Sequence, residues 1–358
     1  MAVPYRRIPF RLRFWYGYFQ FGDHFFGRER FFRWTKGSRT RFYKKLEEHL
    51  KKGGPGKEIP VPRVDPNNIT RDEFVKKYVR KGMPVIITGA AKEWTCCTDW
   101  SLEHFKDLHG KDKVVFMDQT NIGTNAYEET TLAQVIDDIR GGSGKYYRFY
   151  PLLERHPEHI FDFDYKWLRS RRLRGSFGES FHVFISPKDG FTPIHNASSP
   201  NIFVQCYGEK KWVLHPMEYA CVVDPVPARN MYRSAPIRKG KDFNAFTQNF
   251  EDFPMYKWVD YYAAHLKPGD VFYNPPYMWH TVSNPTDSIG VGYRYFAPLH
   301  AMRLKPMYAF LELFAFNPPV WVSYRKYADV NLIHMAETGV LKELEKKHGR
   351  KITSTVDY

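Results

Sequence analysis

The chain holds only four cysteines in 358 residues, Cys96, Cys97, Cys206 and Cys221. Their spacing matches no metal site, and the adjacent Cys96 and Cys97 are poorly placed to bridge each other, so neither a disulfide framework nor a thiolate zinc cage is expected. A reducing compartment follows. Also missing is any apolar run approaching the roughly 18 to 20 residues of a membrane helix. The basic start has neither the apolar stretch nor the small-residue cleavage site of a signal peptide. A cytoplasmic protein is expected, with at most peripheral contact to a membrane. No internal repeat is evident. What is present, 43% hydrophobic and 17% aromatic residues, suffices for one large or two ordinary domains and excludes a disordered or fibrous chain.

Acidic residues are the scarcer charge, 39 against 54 Lys and Arg, and the imbalance is local. Residues 1 to 57 hold 15 Lys or Arg against 4 Asp or Glu, a surplus of 11 out of the chain's net +15. Arginines alternate there with Phe, Trp and Tyr, which suits an anionic bilayer surface. The plainer reading is an arm whose rings pack on the rest of the protein and whose arginines stay in water. Single-stranded nucleic acid offers the same phosphate and stacking chemistry, but no recognition module is legible, so it is not the expected partner. A second basic cluster, Arg169, Arg171, Arg172 and Arg174, would receive an acidic substrate or form a solvated loop.

Gly and Pro between residues 51 and 68 mark a linker, so residues 1–58 read as a basic aromatic arm followed by a domain over 59–300. Within it, Thr70 and Glu73 form a capping box ahead of apolar positions at helical spacing, and Ser101 and Thr131 announce two further helices. From Lys145 the texture changes to short runs rich in Val, Phe and Tyr, with strands expected at 181–186, 202–207, 211–215, 270–274, 280–282 and 289–296. Residues 301–358 read as a helical segment, with helices at 307–316 and 332–347, that covers the strands or forms a homodimer.

Three segments are informative together. The first is Phe191-Thr-Pro-Ile-His195-Asn-Ala197. The second runs from Asn201 to Trp212 through Gly208-Glu209-Lys210. The third is Pro268-Gly-Asp270 leading to Trp279-His280. On a strand, residues i and i+2 share a side, so a His-x-acid segment supplies two metal ligands and a distant strand supplies a second imidazole. Here the imidazoles are His195 and His280, and the acid position is Ala197. Taken singly, a histidine on a strand is more often a core residue.

The ordered set resembles the JmjC-type cupin oxygenases, in layout over about 59–300 and most specifically over 181–296. The resemblance implies a mainly β, α+β fold: a double-stranded β-helix (jelly-roll) core with N- and C-terminal helices. It implies Fe(II) held by His195 and His280, and 2-oxoglutarate held by Lys210, Thr192 and Asn201, with Arg294 as a further carboxylate contact. Ala197 departs from the family pattern. A halide fills the open ligand position, as in iron halogenases that carry Ala or Gly there; or water or another acid, Asp189 or Glu209, completes the shell of a hydroxylase; or the fold only binds a partner. His182, His215 and His300 are weaker substitute ligands. The resulting expectation is an oxidoreductase acting on an unactivated C–H bond of a lipid, small molecule or peptide, with halogenation slightly ahead of hydroxylation and a non-catalytic binding module as the alternative.

Overall fold

The computed structural model describes residues 4–117, 127–143, 147–225, 232–236, 238, 240–315, 320–321 and four isolated positions, 343, 346, 347 and 349. Apart from 343, 346 and 347, the expected helix at 332–347 therefore lies outside the described residues. In chain order the strands are β1 (Glu58–Pro60), β2 (Arg63–Val64), β3 (Val85–Ile87), β4 (Lys113–Met117), β5 (Tyr127–Thr131), β6 (Tyr147–Tyr150), β7 (Phe177–Ser186), β8 (Phe191–Ala197), β9 (Asn201–Tyr207), β10 (Lys210–His215), β11 (Tyr232–Ser234), β12 (Tyr261–Leu266), β13 (Val271–Asn274), β14 (Trp279–Ser283) and β15 (Ser288–Phe296). The helices are α1 (Phe10–Phe26), α2 (Arg28–Lys52), α3 (Arg71–Lys77), α4 (Thr95–Thr98), α5 (Leu102–His109), α6 (Leu132–Arg140), α7 (Leu152–Arg155), α8 (Tyr165–Ser170), α9 (Ala220–Val223), α10 (Pro298–Leu304) and α11 (Pro306–Leu313).

Two largely antiparallel sheets face each other, as the jelly-roll expectation requires. One runs β1-β12-β10-β14-β8-β11, the other β2-β3-β13-β9-β15-β7-β6. Alternation along each strand gives every sheet an inner and an outer face. The inner faces meet in a layer that includes Trp212, Leu214, Phe203 and Phe272. The outer face of the second sheet is roofed by α3 to α8 over Ile202, Val204, Val291 and Tyr293. Helix starts follow the local signals: Thr70 and Glu73 close a reciprocal capping box, and Ser101 and Thr131 cap α5 and α6.

The outer face of the first sheet is covered by the N-terminal segment. Residues 10–52 form the α1–α2 hairpin, whose Tyr16, Phe19, Phe31 and Phe42 join Ile194, Val213 and Trp279 in one buried cluster. Gly27, at φ 81°, turns the chain between the helices. Gly22 permits their close approach, since a Cβ there would sit 2.0 Å from the Phe31 ring. A buried Arg39–Asp23 ion pair stitches the hairpin together, while Arg6–Asp260 and Arg28–Asp224 tie it to the sheets. The stretch read as a linker supplies two short edge strands, with β1 parallel to β12 and β2 parallel to β3.

Candidate functional site

β8 and β14 are neighbours, and His195 lies directly opposite His280. Their ring centroids are 4.1 Å apart. Each imidazole donates its Nδ1–H to the carbonyl two residues earlier, His195 to Pro193 at 2.8 Å and His280 to Met278 at 2.9 Å. A carbonyl only accepts, so these bonds fix the tautomer and put the lone pair of both rings on Nε2. Such an outer hydrogen bond is how a metal-ligating histidine is oriented. Burial pushes His280 down to about 4, a shift to which the Arg294 charge adds, so its ring is neutral near pH 7.

The register places the remaining candidates. Val282 pairs with Thr192, so two steps along β14 correspond to three along β8. The extra residue resets the alternation and brings Thr192 to the same side as His195. Trp212 pairs with Val282 and Leu214 with His280, so the alternation of β10 puts Lys210 on this inner face too. Gly208, at φ 64°, makes the turn before β10, and a Cβ there would lie 1.9 Å from the Asp287 carbonyl oxygen. Lys210 is buried, and its ammonium donates to Ser186 at 3.0 Å, Asn284 at 2.7 Å and Ser288 at 2.9 Å.

On the facing sheet, Asn201 lies between Asn274 and Arg294. Asn274 reaches the His280 ring at 3.3 Å. Position 292 must be glycine to leave room for Asn201, whose Oδ1 would be 2.9 Å from a Cβ there. The amide oxygen of Asn201 and the indole N–H of Trp212 are buried without a hydrogen-bond partner. Each costs about 1–3 kcal/mol when left unsatisfied, so two in one interior suit a polar ligand.

Ala197, two residues beyond His195 on the same side of β8, offers no donor atom. Among the described residues, no third His, Cys, Asp or Glu joins His195 and His280 in a cluster with all ligand atoms within 4.8 Å of one another. The suggested substitutes are engaged elsewhere. Glu209 pairs with His265 at 2.7 Å, and Asp189 sits in the β7–β8 turn at φ 60°. His215 lies on the outer face against Phe243 and Tyr256, and His182 bonds the Ser180 hydroxyl. His300 lies on α10, after the last strand of the core. The donor set thus fits a metal held by two imidazoles, one anchor short of a facial triad, beside an ammonium and amides suited to a carboxylate.

Of the basic cluster at 169–174, Arg172 is spent on the buried Glu179, with Arg169 beside it, and Arg171 lies over the Trp167 ring. Trp279 and Tyr277 pack under the α1–α2 hairpin and Tyr293 under the roof helices, so none of them walls the histidine pair. The four cysteines are free, and their sequence spacing conceals one juxtaposition. Cys96, Cys97 and Cys206 converge with all three sulfurs within 4.8 Å of one another, although 109 residues separate Cys97 from Cys206 in sequence. They lie in or against the core on the outer face of β9, away from the histidines, and the hydrogen bonds of Cys206 and Cys96 lower the Cys97 thiol to about 4.

A family model described as a cupin-like domain matches residues 70–299. Among curated proteins the chain is similar to a lysine-specific demethylase of Arabidopsis thaliana, 22% identical over 67% of this chain and 56% of the relative. It is also similar to a JmjC domain-containing protein of Dictyostelium discoideum, 25% identical over 62% of this chain and 53% of the relative. A third relative is the bifunctional arginine demethylase and lysyl-hydroxylase of Caenorhabditis elegans, 23% identical over 66% of this chain and 61% of the relative. The chain thus spans between about half and three fifths of the length of these relatives.

Proposed function

Because the chain belongs to the cupin-like domain family, we propose that it is an Fe(II)- and 2-oxoglutarate-dependent oxygenase acting on a C–H bond. The observation that carries this reading is the His195–His280 pair, with both Nδ1 atoms spent on backbone carbonyls. His195 and His280 would hold the metal through Nε2. The bound metal supplies the redox chemistry that couples oxidative decarboxylation of 2-oxoglutarate to substrate oxidation.

The protein's own part is positioning and exclusion. Lys210 presents a buried ammonium held by Ser186, Asn284 and Ser288, and one of these three bonds would give way to the distal carboxylate of the co-substrate in a charge-assisted contact. Thr192 and Asn201 add hydroxyl and amide contacts, and Arg294 lends positive charge nearby. Trp212, Phe203 and Phe272 wall the interior against water. At Ala197 the protein gives no ligand, so a bound metal would take water from solvent there. Relatives named as demethylases and a lysyl-hydroxylase support oxygenation, and we adopt it in place of the halogenation that Ala197 alone suggests. Their names make a protein side chain the first substrate class to try.

The test is anaerobic reconstitution with Fe(II) followed by calorimetric titration of 2-oxoglutarate, then release of succinate on admission of air. Metal-dependent binding of 2-oxoglutarate is expected. Binding of neither iron nor co-substrate would reduce the protein to a non-catalytic module.

A further inference from the structure

The α1–α2 hairpin has two apolar sides, and the sheets use only one. Nine of the 17 large apolar side chains left exposed among the described residues lie on these two helices. Phe10 is 74% exposed, Phe14 61% and Trp34 62%. The rings form a continuous surface: Phe10 touches Phe14, Phe14 touches Trp15 and Trp15 touches Tyr18, with centroids 5.8 to 6.4 Å apart. Phe21 and Phe25 extend it onto the end of α11 through Phe310 and Phe314, at 6.4 and 5.3 Å. At 41 to 74% exposure, nine side chains of about 150–250 Å² each still leave more apolar surface in water than the few hundred Å² a monomer ordinarily shows.

The charge around this patch is predominantly positive, with Glu29 the exposed acid beside it. Arg7, Arg11, Arg30, Arg33, Lys36 and Arg41 are exposed on the same segment, while Asp23 is buried against Arg39 and adds nothing to the surface. Arg30 lies over the Trp34 ring at 5.1 Å, so ring and cation are presented together. Among the described residues no helix is long and apolar enough to cross a membrane. We propose that this face docks on an anionic lipid bilayer, its rings entering the headgroup boundary and its arginines pairing with lipid phosphates and carboxylates. A second copy of the chain fits less well, because self-association through the face brings two positive surfaces together. Single-stranded nucleic acid fits less well because the rings pack on one another, leaving no open slots between them for bases. The proposal stands independently of the proposed enzymatic activity.

The test uses the full chain and sedimentation with large vesicles, phosphatidylcholine alone against phosphatidylcholine mixed with phosphatidylserine. Binding to the anionic vesicles only, weakened by added salt, is expected. Partitioning should fall at least about tenfold in the triple variant Arg11→Glu, Arg30→Glu, Arg33→Glu, and comparably in Phe10→Ser, Phe14→Ser, Trp34→Ser. All six side chains are exposed, so unchanged circular dichroism and melting are expected and would separate lost docking from lost folding. No binding, equal binding to neutral and anionic vesicles, or binding untouched by both variants would overturn the proposal. So would a soluble dimer that the aromatic variant dissociates, or an oligonucleotide that binds the face where vesicles do not.

Discussion

Among the described residues two groups of histidines lie close together, and they are built in opposite ways. In the barrel, His195 and His280 each spend Nδ1 on a carbonyl two residues back, which aims a lone pair at Nε2. In the helical roof, His159 uses both nitrogens, Nε2 against His109 at 2.7 Å and Nδ1 against Asp162 at 2.6 Å. His156 stacks on His109 at 3.7 Å and bonds Asp112 at 2.9 Å. The roof trio is engaged with itself and its acids, as a structural network is; the barrel pair has its donors used and its acceptors aimed. Proximity of imidazoles alone therefore does not argue for a metal site, and the partner of the other ring nitrogen is what separates the two groups.

The sharpest way to break this contrast is to exchange the fates of the two groups. His195→Ala or His280→Ala should lower metal-dependent 2-oxoglutarate binding by on the order of a hundredfold or more, read by calorimetry, with little change in melting temperature. His109→Ala should do the reverse, leaving metal binding intact and costing about 1–3 kcal/mol in urea unfolding by stranding the buried His159 nitrogen. If His109→Ala abolished metal binding as well, the contrast would fail.

A smaller effect is expected at the carboxylate end. Lys210→Met should weaken 2-oxoglutarate about 10- to 100-fold in the same titration and leave bare Fe(II) binding within about twofold. Ala197→Asp should act in the opposite direction, restoring the missing anchor and tightening Fe(II) about tenfold in a chelator competition. An unchanged affinity would mean that position 197 does not adjoin the metal.

The smallest effect is on pH. Burial, with His156 and His159 beside it, holds His109 down to about 4 from 6.5, and burial alone does the same to His215. Between those values the unfolded chain binds more protons than the folded one, so stability present above pH 6.5 is lost as pH falls toward 4. The melting temperature should fall through that window, and His109→Gln should flatten the slope. A melting temperature independent of pH there would contradict the burial of these rings.

The barrel was legible because its chemistry is local in sequence. Thr192, His195 and Asn201 lie within ten residues, and the strands at 181–186, 202–207, 211–215 and 289–296 fall inside β7, β9, β10 and β15. β12 was missed, because Tyr-Tyr-Ala-Ala-His-Leu alternates weakly and its pairing with β10 and β1 is a long-range property. The bulge that turns Thr192 toward His195 is likewise invisible without the partner strand. The hairpin of α1 and α2 was legible as composition but not as architecture, since Arg39–Asp23 and Arg6–Asp260 are tertiary choices among many possible partners. The thiol trio is invisible in sequence for the same reason: spacing rules see Cys96 and Cys97 but not the strand that brings Cys206 to them.

The central claim is that His195 and His280 bind one ion through Nε2 with no third protein ligand. Iron-edge X-ray absorption of the Fe(II)-loaded protein, wild type against Ala197→Asp, tests it most directly. The account predicts two imidazole ligands in the wild type and the same two with an added carboxylate oxygen in the variant. Iron without imidazole scattering, or identical spectra for the two proteins, would contradict it.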